Sequence, residues 1–202
     1  MLPRGLLCAV LGAAMMAAAL PAAADEQPSA AQLMDDLMWN RGPIGGPFTL
    51  TDQTGKIRRD DEFRGKLMIV YFGYTSCPDV CPTDLMAISQ AIDALGADGE
   101  KIQPVFITLD PERDTQAQLA DYVAAFHPRL IGLTGTPEQI RAVALSYKAY
   151  YAKVKDERGT DYSIDHTGVV YLIGRDGHYL GFMPPQTSPD RLIDVLRKQL
   201  GE

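Results

Sequence analysis

Lys66-Leu67-Met68-Ile69-Val70-Tyr71-Phe72-Gly73-Tyr74-Thr75-Ser76-Cys77-Pro78-Asp79-Val80-Cys81-Pro82-Thr83-Asp84-Leu85 decides how the rest of this chain is read. Six consecutive apolar residues, Leu67 to Phe72, stop at Gly73. A run that short, rich in β-branched and aromatic types and closed by a turn residue, predicts a buried central strand. The residues after it open a helix. Pro82 is tolerated only in the first turn, where its missing N–H would have no partner anyway. The helix therefore begins between Pro78 and Cys81, and both Cys77 and Cys81 lie at its N-terminal end. That end carries a partial positive charge and favours thiolate over thiol. The stretch predicts a reactive dithiol.

Upstream, the chain opens with a short n-region containing Arg4, then an apolar alanine-rich stretch from Leu6 to Leu20 and small residues at positions 22 and 24. This is the pattern of an export signal, with cleavage expected after Ala24. An uncleaved membrane anchor is the competing reading, because about 15 to 19 apolar residues is borderline for spanning a bilayer. Export would place the protein in the periplasm or on the outer face of the cytoplasmic membrane. Cys8 leaves with residues 1–24 in the cleaved reading, so Cys77 and Cys81 are the two cysteines of the mature chain. Residues 25–44 read as a polar linker. They carry a short helix, Ala30 to Trp39, capped by Ser29. Residues 45–202 are long enough for one well-buried domain. The net charge of −7 argues against nucleic acid, which selects basic proteins.

Around the cysteine stretch, strand and helix signals alternate. Phe48 to Arg58 reads as a hairpin turning at Gly55, and apolar positions Leu85, Ile88, Ile92 and Leu95 define a helix from Val80. Ile102 to Leu109 is a second buried strand. Thr115 with Gln118 forms a capping box for a helix reaching Phe126. Leu130 to Leu133 is a short strand, and Thr136-Pro137 starts a helix to Tyr147. Tyr150 to Lys155 reads as extended, and Asp156 to Ser163 as a polar excursion. Gly168 to Ile173 and Tyr179 to Phe182 form a hairpin around Asp176-Gly177. Ser188-Pro189 begins a final helix to Leu200. This order predicts an α/β fold with a central mixed sheet flanked by helices. Strand, cysteine loop, helix, then a late hairpin and terminal helix is the thioredoxin-like order, here with an added N-terminal β-hairpin. The cysteine loop falls at the C-terminal end of a central strand, where open α/β sheets place their sites.

Cys77-Pro-Asp-Val-Cys81 spaces its thiols one helical turn apart. Cβ atoms at i and i+4 of a regular helix lie about 5 to 6 Å apart. A disulfide wants about 3.5 to 4.5 Å, so a bridge forms only with local adjustment. Two thiolates at this spacing can also hold a soft metal ion. A third ligand must come from elsewhere, and the chain has three histidines. His127 closes a helix and His178 follows a hairpin turn, so both are expected in solvent. His166, in Asp165-His-Thr-Gly168, falls just before a strand whose preceding loop faces the cysteines in thioredoxin-like proteins. Two thiolates and one imidazole suit Cu(I), with Cu(II) as a further state, whereas zinc would want a fourth ligand. Met183 is a candidate extra soft ligand, but core packing is the expected role.

Three segments together carry a family resemblance. Tyr71-Phe-Gly-Tyr-Thr-Ser-Cys-Pro-Asp-Val-Cys-Pro82, Leu109-Asp-Pro-Glu-Arg-Asp-Thr115 and Asp165-His-Thr-Gly-Val-Val-Tyr-Leu172 resemble the Sco/SenC family over residues 45–200. These are copper-binding, thioredoxin-fold proteins that assist assembly of the copper centre of cytochrome c oxidase. The resemblance implies that Cys77, Cys81 and His166 are copper ligands. It also implies that Asp110 and Asp114 serve metal handling or partner contact, against local roles in ending a strand and capping a helix. The family's usual membrane tether would fall on the N-terminal segment.

Two functions compete. The first is a copper metallochaperone delivering copper to the copper-accepting subunit of cytochrome c oxidase, supplied by an upstream copper donor. Its thiols must be kept reduced in an oxidising compartment, which implies a thioredoxin-like reductase as partner. The second is a thiol–disulfide oxidoreductase acting on the cysteines of the oxidase copper site, with Cys77 attacking and Cys81 resolving. Val80-Cys81-Pro82-Thr83 also echoes a peroxidase motif, but Pro78 stands where that chemistry needs a hydroxyl.

Overall fold

The computed structural model describes residues 28–201. The export signal, its cleavage point and Cys8 lie outside the described residues. The first helix, α1 (Ala30–Met38), is closed at its start by a capping box between Ser29 and Gln32. Its Leu33 and Leu37 are buried, so part of the segment read as linker packs onto the domain.

Among the described residues the main sheet has seven strands, in the spatial order β2 (Ile57–Arg59), β1 (Thr49–Asp52), β5 (Ile131–Thr134), β4 (Ile102–Thr108), β3 (Leu67–Gly73), β8 (Val170–Ile173), β9 (Tyr179–Met183). At its centre is β3 (Leu67–Gly73), buried at every residue, with β4 (Ile102–Thr108) parallel on one side and β8 (Val170–Ile173) antiparallel on the other. Beyond β4 comes β5 (Ile131–Thr134), parallel to it, and beyond β8 the antiparallel β9 (Tyr179–Met183). The expected N-terminal hairpin, β1 (Thr49–Asp52) and β2 (Ile57–Arg59), adds to this sheet because β1 pairs antiparallel with β5. Thr54 and Lys56 donate backbone N–H bonds to the buried Asp52 carboxylate, which fixes the turn.

Helices cover the sheet. Directly after the cysteine loop runs α2 (Val80–Ala94), which packs against the terminal α5 (Pro189–Leu200). Against β5 lies α3 (Gln116–Ala124), its Leu119 and Val123 close over Gly132. Thr115 and Thr136 cap α3 and α4 (Pro137–Ser146) with the boxes that the sequence predicts. Tyr71, Phe72, Phe106, Tyr147 and Tyr171 are fully buried in the core. Burying side chains of this size contributes about 1.5 to 3 kcal/mol each.

One element departs from expectation. The composition of residues 156–163 predicts an irregular polar excursion, with His166 on a loop. Instead β6 (Tyr151–Lys155) and β7 (Tyr162–His166) pair as a separate antiparallel ribbon, with Tyr151 opposite His166. The reason is a period of two. Tyr162 is half-buried, Ile164 is buried and His166 is half-buried, while Ser163 and Asp165 face out. That alternation makes a strand of a segment whose composition is polar.

Candidate metal centre

The site forms where β3 ends. Gly73 closes the strand, and an added Cβ there would meet Cys81 Sγ at 2.8 Å and Phe106 at 2.9 Å. No larger residue lets Cys81 stand this close to the sheet. The chain then turns, with Cys77 N–H donating to the Tyr74 carbonyl at 3.2 Å, and enters α2. Asp79 takes the N-cap position but its side chain makes no capping bond, so the first N–H groups of α2 remain available to the site. Pro82 lies in the first turn, as its chemistry requires.

Cys77 and Cys81 are both free thiols, not joined in a disulfide. Their environments drive them apart. Hydrogen bonding from the Cys81 thiol is the largest influence on Cys77 and pulls it well below the usual thiol range. His166 and the backbone N–H groups of Asp79 and Cys81 add to that, while burial opposes it. Cys81 is fully buried and goes the other way, pushed up by the neighbouring Cys77 and by burial. Of the two, Cys77 is the one whose surroundings favour the thiolate, and Cys81 the one held toward the thiol.

From the other side, β7 brings in His166, whose Nε2 lies 3.4 Å from Cys81 Sγ. Its ring meets the Tyr74 ring edge-on at 6.0 Å and the Tyr71 ring at 6.5 Å. The ligand atoms of Cys77, Cys81 and His166 all lie within 4.8 Å of one another. Bonds of about 2.0 to 2.3 Å to one ion separate three donors by about 3.5 to 4.5 Å, so a single soft metal ion fits among them. Among the described residues this is the one cluster of such groups that could hold a metal. His166 Nδ1 is buried without a partner.

Beneath the thiols, the Tyr71 hydroxyl donates to the buried Asp84 carboxylate at 3.0 Å, and Gln186 N–H reaches the other oxygen at 2.6 Å. Burial is the main influence on Asp84 and raises its carboxyl above the ordinary range. Sequence reading misses this pair. Its one signal is an aspartate on the inner face of α2, three residues after Cys81.

The other candidates separate cleanly. Asp110 and Asp114 are buried at 0% and 2% exposure, outside the thiol and imidazole cluster. Asp110 pairs with Arg113 and accepts the Tyr162 hydroxyl at 2.9 Å. Asp114 does not cap α3, because Thr115 holds that position. It instead accepts from Thr75 N–H at 3.0 Å and Thr75 Oγ1 at 2.6 Å, tying down the cysteine loop. Met183 is buried in the core. His178 is exposed as expected, but His127 is buried, a correction to its expected place in solvent. Its Nδ1 accepts Arg129 N–H at 3.1 Å and its Nε2 faces Asp93 at 3.4 Å, so the chain folds back over the helix end.

Known proteins share this fold. The SCO1/SenC family profile matches residues 38–201. The SCO2-like protein of Rickettsia felis is 41% identical over 173 residues, 85% of this chain and 83% of its own length. The structure of Bradyrhizobium japonicum ScoI with copper bound matches with a TM-score of 0.71 at 44% identity, covering 77% of this chain and 99% of that one. BsSco, a member of the Sco family of cytochrome c oxidase assembly proteins with an identified disulfide switch, matches with a TM-score of 0.61 at 25% identity, over 80% and 95% of the two chains. With its mixed sheet, its cysteine helix and a family match spanning most of its length, this chain belongs to the SCO1/SenC family.

Proposed function

We propose that this protein is a copper metallochaperone of cytochrome c oxidase assembly, holding its cargo between Cys77, Cys81 and His166. The convergence of those three ligand atoms within 4.8 Å carries the reading. Copper-bound relatives of the same fold, and the place of BsSco in a family of cytochrome c oxidase assembly proteins, support it. Two sulfurs and one imidazole offer Cu(I) the soft, low-coordinate set it prefers, and His166 lets Cu(II) be held as well. Transfer proceeds by ligand exchange, with an acceptor's thiolates replacing Cys77, His166 and Cys81 in turn. Binding needs deprotonated ligands, so affinity falls as pH falls. The protein acts in the periplasm or on the outer face of the cytoplasmic membrane, held there through its N-terminal segment or released from it. Its partners are the copper-accepting oxidase subunit, an upstream copper donor and a thioredoxin-like reductase. Among the described residues, no helix is long and apolar enough to cross a membrane.

A second reading is favoured by the opposed states of the two thiols. The Cys77 thiolate would attack a target disulfide, and Cys81 would then displace the reduced target, leaving Cys77–Cys81 oxidised. A dithiol reductant would reset the pair. His166→Ala separates the two readings. Under the chaperone reading it abolishes tight copper binding while leaving thiol exchange largely intact. Copper binding unchanged by His166→Ala would sink the proposed ligand set.

A further inference from the structure

The site joins two parts of the fold with little in common. Cys77 and Cys81 sit on the end of β3 and the start of α2, inside the main sheet's framework, whereas His166 ends a two-stranded ribbon outside that sheet. An isolated two-stranded ribbon is marginal, so the position of its last residue depends on what braces it. The brace is the segment after β4. Arg113 pairs through Nε with the fully buried Asp110. Its Nη1 donates to the Tyr162 carbonyl at 2.8 Å and to Asp161 at 3.0 Å. The guanidinium lies 3.7 Å over the Tyr162 ring, and the Tyr162 hydroxyl returns to Asp110 at 2.9 Å. These contacts close a ring of three residues, Asp110, Arg113 and Tyr162. Tyr162 shares a face of β7 with His166, four residues along. One position beyond Arg113, Asp114 fixes Thr75, two residues before Cys77. A single short segment therefore braces both arms of the site.

We propose that Arg113 and Tyr162 are positioning residues for His166, setting how closely its imidazole approaches the two thiols and so how tightly copper is held. The inference rests on the copper reading above, and it assigns the Asp110 segment a task without metal contact. The planar fork of Arg113 suits this task, since it meets a carboxylate, a carbonyl and a ring at once.

The test uses two mild variants. Arg113→Lys keeps a cation beside Asp110 but cannot bridge to Tyr162, and Tyr162→Phe removes only the hydroxyl bonded to Asp110. Cu(I) affinity of the reduced full chain is measured by competition with a chromophoric chelator, in the wild-type and His166→Ala backgrounds. Amide hydrogen exchange across residues 162–166 is measured on metal-free protein. Each variant should weaken Cu(I) binding about tenfold or more, as loss of a ligand's supporting contacts does. Exchange across 162–166 should quicken. In the His166→Ala background the same substitutions should change affinity less than about twofold, because a positioning effect has nothing left to position. Equal weakening in both backgrounds, or unchanged affinity in variants of a copper-binding wild type, overturns the inference alone. A wild type that binds no copper overturns the copper reading, and the inference with it.

Discussion

Cys81 Sγ and His166 Nε2 stand 3.4 Å apart, although 85 residues separate them along the chain. Two different kinds of structure create that contact. Cys81 is set by the framework of β3 and α2, where Gly73 leaves room for its sulfur. His166 is set by the ribbon of β6 and β7, outside the main sheet.

The two thiols should differ in reactivity. Cys77 is lowered chiefly by hydrogen bonding from Cys81, and Cys81 is raised by Cys77 and by burial. At pH 6 an ordinary thiol with a pKa of about 8.5 is only about 0.3% thiolate. Cys77 should still alkylate readily there, and Cys81 should react only after unfolding. Peptide mapping after a timed iodoacetamide pulse checks this. Equal labelling of both cysteines at pH 6 would contradict it.

Gly73→Ala should damage the site from the sheet side. The new methyl group would press on Cys81 Sγ and on the Phe106 ring, both closer than a real Cβ contact. Overpacking of this kind costs about 1 to 3 kcal/mol. Chemical denaturation of the reduced, metal-free protein should show that loss, with weaker copper binding alongside it.

His127 gives the apo protein a pH dependence far from the metal. Burial is the main influence holding its pKa below the ordinary value, so the folded state keeps it neutral. The unfolded chain binds the proton more readily, near a pH of about 6.5. Stability from this group is therefore present above about pH 6.5 and is lost as pH falls from there through the lower folded value. His127→Gln should flatten that part of the stability profile. An unchanged slope between about pH 6.5 and 5 would contradict the assignment.

The core of the fold is legible in the sequence because its signals are local. Leu67 to Phe72 is a buried strand by composition alone, and Pro82 limits where α2 can begin. Thr115, Thr136 and Ser188 each cap a helix where the sequence places one. The ribbon escapes such a reading because Tyr162, Ile164 and His166 alternate with exposed residues inside a polar stretch, and the pairing partner is what makes them a strand. The burial of His127 depends on Arg129 and Asp93, and that of Asp84 on Tyr71 and Gln186. The pairings of His127 with Asp93 and of Asp84 with Gln186 join distant residues and leave no spacing to read. For the site, Cys77 and Cys81 follow from their helix position, whereas His166 needs the likeness to a fold whose loop faces the cysteines.

The most direct test of the copper site is the metal content of the reduced chain. Wild type and Cys77→Ser are loaded anaerobically with Cu(I), freed of excess ion and analysed for metal and protein. The expected result is roughly one copper per wild-type chain, as a single three-donor site allows, and a large loss in Cys77→Ser. Wild-type protein that retains no copper, or a Cys77→Ser variant that retains as much as wild type, would contradict it.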